Sequence, residues 1–162
     1  PDIKNLNKNH NYPEGSVNQL EQWRASGILN RDLNTDELPH LPAWDDDGWP
    51  LDQRARAYLE VNCSHCHNNS GSAHNFELSL GYEEVADEKL GVCKEPLSGR
   101  SRSLGLPHII EPGEPNESIL YYRMNVTDPF TAMPRVGRTV IHNEAVELIR
   151  DWISSMDLPP CE

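Results

Sequence analysis

A chain of 162 residues is long enough for one well-buried core plus an appendage. Its 26 acidic against 14 basic residues leave a net charge of −12, which argues against nucleic acid or an anionic membrane as partner and favours basic docking partners or plain solubility. No stretch approaches the roughly 20 apolar residues of a membrane-spanning helix, and no secretory leader pattern stands at Pro1, so the chain reads as mature or as an excised piece.

In chain order, residues 1–15 are rich in Asn, Lys and Pro and read as an irregular lead-in. Ser16 and Gln19 form a capping-box pattern, and Val17, Leu20 and Trp23 recur at helical spacing up to Gly27, which predicts a short helix over 17–26. From Ile28 to Pro50 the chain carries Pro39, Pro42, Pro50 and the run Asp45-Asp46-Asp47-Gly48. This is loop chemistry, and the acidic run lacks the alternating ligands and distal Glu of a calcium loop. Residues 1–49 are therefore expected to be an N-terminal extension with one short helix and a proline-rich linker, ahead of a domain at 50–162.

That domain opens with the most informative stretch. Leu51, Ala55, Tyr58 and Leu59 make one apolar helical face running directly into Cys63-Ser64-His65-Cys66-His67. The C-x-x-C-H spacing is the attachment signature of c-type haem. Two thiols three residues apart can each form a thioether bond to a porphyrin vinyl group, and the following histidine offers an imidazole as proximal axial ligand. A thioredoxin-like pair would want a βαβ setting, and a zinc site would want a second Cys or His pair at close spacing; neither accompanies this string. One covalent haem c, bound by Cys63, Cys66 and His67, is the expectation.

Residues 68–108 are long and irregular, with a turn of helix near 82–90, as a segment wrapped around a cofactor would be. Pro112-Gly113-Glu114-Pro115 starts a helix to about Met124. The last helix is the clearest: Ala145, Val146, Ile149, Trp152, Ile153 and Met156 keep one face apolar, with Glu144, Glu147, Arg150 and Asp151 opposite. Tyr58, Ile149 and Trp152 are candidates for packing beside the haem. No alternating strand pattern of useful length is present. The remaining cysteines, Cys93 and Cys161, fit a disulfide, since covalent haem is attached outside the cytoplasm in bacteria, where leftover thiols pair.

An iron with one histidine needs a sixth ligand or an open face. Met124 and Met156 belong to helices. Met133 lies in the loop Thr131-Ala132-Met133-Pro134-Arg135-Val136-Gly137, where a residue can reach over a flat cofactor and Pro134 stiffens the backbone. It is the candidate distal ligand. The histidine rivals sit in less suggestive places: His10 and His40 in polar or proline-rich segments, His65 pointing to solvent, His74 and His108 in loops, His142 at a helix start. Arg100, Arg102 and Arg135 are candidates to pair with haem propionates.

With these motifs in place, residues 50–156 resemble a class I c-type cytochrome domain. The likeness rests on a helix into Cys63-x-x-Cys66-His67, the Pro-Gly-x-Pro start at 112–115 with Ser118, the Ala132-Met133-Pro134 loop and the helix around Leu148–Ile153. More narrowly, Ala55-Arg56-Ala57-Tyr58-Leu59, Gly91-Val92-Cys93-Lys94 and Thr127-Asp128-Pro129 are similar to a family of bacterial dihaem c-type cytochromes. That family carries a second C-x-x-C-H upstream, so this chain looks like its C-terminal, monohaem part. The resemblance implies a mainly α, class I cytochrome c fold with long irregular loops. It also implies a periplasmic or otherwise extracytoplasmic electron carrier with His/Met ligation and redox protein partners. The alternatives are a haem enzyme or gas sensor with a displaceable distal ligand, and the electron-accepting module of a larger dehydrogenase.

Overall fold

The computed structural model describes residues 2–97 and 105–162, which form two compact units, Pro1–Pro42 and Ala43–Glu162. The division falls earlier than the expected boundary at 49/50 because Trp44 packs against the core of the second unit.

The first unit holds helix α1 (Ile3–Leu6), strands β1 (Asn9–Tyr12) and β2 (Gly15–Asn18), and helix α2 (Gln19–Ala25). The strands pair antiparallel, with Asn9 opposite Asn18 and Tyr12 opposite Gly15, so Pro13 and Glu14 make the turn. Neither the hairpin nor α1 was expected. The Ser16 capping box also fails, because Ser16 is in β2 and Asn18 caps α2, its side chain accepting from the Leu20 N–H at 2.9 Å. Apolar burial is thin here, at Leu20 and Leu41. Buried Asn7 compensates: its amide donates to the Thr35 and Leu38 carbonyls at 2.9 and 3.0 Å and accepts from Asn18 at 2.8 Å.

The second unit contains α3 (Leu51–Asn62), α4 (Asp87–Leu90), α5 (Ile119–Met124) and α6 (Asn143–Ser154). Its core is Ala55 and Leu59 of α3 packed with Val146, Ile149, Trp152 and Ile153 of α6, joined by Leu80, Val92, Ile110 and Met124. The indole N–H of Trp152 donates to Asp52 at 2.8 Å, tying α6 to the first turn of α3. A 3-10 turn at Pro115–Glu117 precedes α5, and the fully buried Ser118 hydroxyl accepts from the Glu111 N–H at 2.8 Å and donates to the Glu114 carbonyl at 3.0 Å. Cys93 and Cys161 are joined, S–S 2.07 Å, as expected. Asp45–Asp47 is a solvated turn, with Asp47 on Arg54 at 2.8 Å.

The expectation of a mainly α, class I cytochrome c fold does not hold. Among the described residues, only 35% are helical, in six α-helices of 4 to 12 residues and three 3-10 turns, and 8% are extended, in one two-stranded sheet and isolated bridges. The reason lies in the connections. Proline, glycine and short polar residues fill 26–50, 68–86 and 125–142, where they offer the backbone turns instead of continuous helix.

Candidate functional site

Helix α3 delivers the Cys63–His67 string, and the chain keeps turning after Asn62. The Cys63 and Ser64 N–H groups both donate to the Leu59 carbonyl, at 2.8 and 3.1 Å, and those of Cys66 and His67 both donate to the Cys63 carbonyl, at 3.1 and 2.9 Å. Ser64 Oγ donates to the Glu60 carbonyl at 2.7 Å, and the Asn68 amide donates to the Ser64 carbonyl at 2.6 Å. The His67 carbonyl accepts from Leu80 N–H at 3.0 Å, so the motif is pinned on its far side too. Gly71 closes the turn. A Cβ there would lie 2.2 Å from the Cys66 carbonyl oxygen, a distance only glycine permits.

Cys63, Cys66 and His67 line one cavity of about 600 Å3. Leu78, Leu80, Ile109, Ile119, Leu120 and Val146 give it apolar walls, and Met133 lines it as well. Phe130, Val136 and Val140 also line it and are 80, 73 and 74% exposed, which leaves apolar side chains open to solvent at the cavity.

Burial dominates the electrostatics. It pushes the Cys63 thiol up to about 12, with Cys66 adding to the shift, and both cysteines are free thiols. A disulfide-exchange pair needs a thiol lowered toward neutrality, and burial shifts Cys63 in the opposite direction. Burial also lowers the His67 pKa, helped by the Arg123 charge and by His65, which favours the neutral imidazole, the form that ligates metals. His67 Nδ1 is buried with no hydrogen-bond partner. A zinc-type cluster is absent from the motif: among the described residues, the one group of His, Cys and acidic side chains close enough to share an ion is His108, Glu111 and Cys161. There Cys161 is spent in the disulfide, and His108 Nδ1 pairs with Glu111 at 2.6 Å.

The sequence candidates distribute unevenly. Met133 is at the cavity, its N–H donating to the Arg123 carbonyl at 2.9 Å, and its bond to Pro134 is cis. Met124 also lines the cavity but is buried in the core, and Met156 packs against the core from outside the cavity. His65 lies on the cavity wall as an exposed residue, and His142 lines it from the start of α6, edge-on to Trp44 at 4.8 Å and 3.3 Å from the Tyr58 hydroxyl. Tyr58 lines the cavity, whereas Ile149 and Trp152 are core residues away from it. Arg135 lines the cavity; Arg100 and Arg102 lie outside the described residues. Sequence reasoning missed Lys94, Arg123 and Arg138, all lining the cavity.

No family model, curated protein or solved structure matches the chain. The site's chemistry therefore has to carry the functional reading. No helix among the described residues is long and apolar enough to cross a membrane.

Proposed function

We propose that the second unit is an electron-transfer module that holds one c-type haem through Cys63 and Cys66, with His67 and Met133 as axial ligands. The carrying observation is that these four side chains, from Cys63 to Met133 in sequence, line the same largely apolar cavity. Its volume of about 600 Å3 falls within the roughly 300–1,000 Å3 of cofactor sites. The donor set fits the group: two unbridged thiols three residues apart, a half-buried imidazole shifted toward its neutral form, and a thioether from a loop. The exposed residues Phe130, Val136 and Val140 fit as well, since a flat apolar body filling the cavity would cover them.

When bound, the haem iron supplies one-electron chemistry between ferric and ferrous states. The chain's own residues do the rest. His67 and Met133 would hold the iron, leaving no position for small molecules, and the thioether would favour the ferrous form and raise the potential. Leu78, Leu80 and Ile109 exclude water. Arg135, Arg123 and Lys94, the last also 3.6 Å from the Glu77 carboxylate, bring positive charge to a cavity lined among the described residues by one carboxylate, Glu95, which suits the two carboxylates of the cofactor. The Cys93–Cys161 disulfide supports an extracytoplasmic setting, where such bridges persist and covalent haem is attached.

The test is the full chain matured where haem-attachment machinery operates. The oxidised protein is expected to show a far-red sulfur-to-iron band, and Met133→Ala is expected to abolish it while the chromophore stays covalently attached. A band that survives the substitution overturns the ligand assignment.

A further inference from the structure

Arg138 follows the candidate ligand loop and has no role in the reading so far. Its guanidinium carries five N–H donors, and each finds a backbone carbonyl. Nη1 donates to the Arg123 carbonyl at 3.2 Å and to that of Met133; Nη2 donates to the Met124 carbonyl and to that of Val126 at 2.8 Å; Nε donates to Val140 at 3.3 Å. The first four acceptors belong to two things only. Arg123, Met124 and Val126 are the end of α5 and the residues just past it, where a helix leaves carbonyls without partners. Met133 is the candidate iron ligand.

The network is closed around that methionine. Its N–H donates to the Arg123 carbonyl at 2.9 Å, and its own carbonyl accepts from Nη1, which also reaches Arg123. Both backbone groups of Met133 are thus anchored to the C-terminus of α5, whose Ile119 and Met124 are buried. A cation is also the right charge for that end of a helix. We infer that Arg138 is a positioning residue: it clamps the Met133 loop to α5, fixes where the thioether stands over the cavity, and takes no part in holding carboxylates. This rests on the reading of Met133 as an iron ligand. Lysine cannot substitute, because one ammonium with three donors cannot span carbonyls that a planar fork reaches in two directions.

The experiment compares haem-loaded full-length protein with Arg138→Gln and Arg138→Lys, reading three signals. These are the far-red band, the affinity of ferric protein for added imidazole, and the exchange rate of the Met133 amide. Either variant is expected to weaken the band, bind imidazole about ten-fold more tightly or more, and speed Met133 exchange by a similar factor, as loss of charge-assisted hydrogen bonds would. Unchanged band, imidazole affinity and exchange in the variants, with Met133→Ala abolishing the band, would overturn the role of Arg138 alone. A band that persists in Met133→Ala would overturn the ligand reading instead. Should the variants fail to fold, the unmodified protein decides: its Met133 amide is expected to be protected, and exchange at the free-peptide rate sinks the clamp.

Discussion

Replacing Gly71 by alanine tests whether the motif is held as described. The added Cβ would stand 2.2 Å from the Cys66 carbonyl oxygen and 2.7 Å from its carbonyl carbon, closer than the 3.0 Å at which something must shift. Both obstacles are backbone, so no side chain can swing away. Relief requires the turn to open, which strains or breaks Ala73 N–H to Cys66 carbonyl (3.1 Å) and Gly71 N–H to Asn68 carbonyl (3.2 Å). Two hydrogen bonds at about 1 kcal/mol each, with overpacking of about 1 kcal/mol or more, put the cost at roughly 3 kcal/mol. For a chain of this size that lowers Tm by about 6–12 °C. Gly81 is the control, because a Cβ there meets only the Glu60 carboxylate, at 3.5 Å. Gly81→Ala is expected to change stability by less than about 0.5 kcal/mol. Denaturant midpoints of the two variants check the reasoning, and a Gly71→Ala protein as stable as Gly81→Ala would refute it.

Two further outcomes follow from the same geometry. The Cys93–Cys161 bridge closes a loop with a separation of 68 residues, which by chain entropy is worth roughly 4 kcal/mol. The double serine variant is expected to melt about 8–16 °C lower, and a melt within 2 °C of the parent would show that the tail contributes nothing through this link. In chain made without haem, the Cys63 thiol is held up to about 12 from an ordinary 9.0, so its neutral form is favoured in the fold. Its stabilising contribution is present below pH 9 and lost as pH climbs toward 12. Urea unfolding of that form should weaken over this range more steeply than in Cys63→Ala, whereas thioether-linked protein, with no thiol to ionise, should lack the difference.

Some of this was legible in the sequence because it is local. Leu51–Asn62 and Asn143–Ser154 announce themselves by apolar spacing, and Cys63–His67 by a five-residue string whose order is itself the chemistry. Met133 could be singled out as a candidate from its loop context and from the cytochrome c resemblance, and the structure sets it on the cavity that Cys63, Cys66 and His67 line. The hairpin was invisible for a physical reason. Its strands are four residues long, almost all polar, and stand on Asn9–Asn18 pairing and the Asn7 side-chain network, neither of which leaves an alternating pattern. The helical content was overread because an apolar helix on either side of a loop says nothing of how much irregular chain the loop requires. Arg138 left no trace either, since its partners are backbone carbonyls, which every residue has. Lys94 and Arg123 were hidden likewise: nothing about a cation in sequence says which cavity its stem will border.

The most direct trial of the account is the mass of the intact protein after it has matured outside the cytoplasm and been fully denatured. A chain carrying one haem that neither acid nor denaturant extracts, and whose attachment is lost when Cys63 and Cys66 are both changed to serine, is the predicted result. A bare polypeptide mass from cells that load other c-type proteins normally would contradict it.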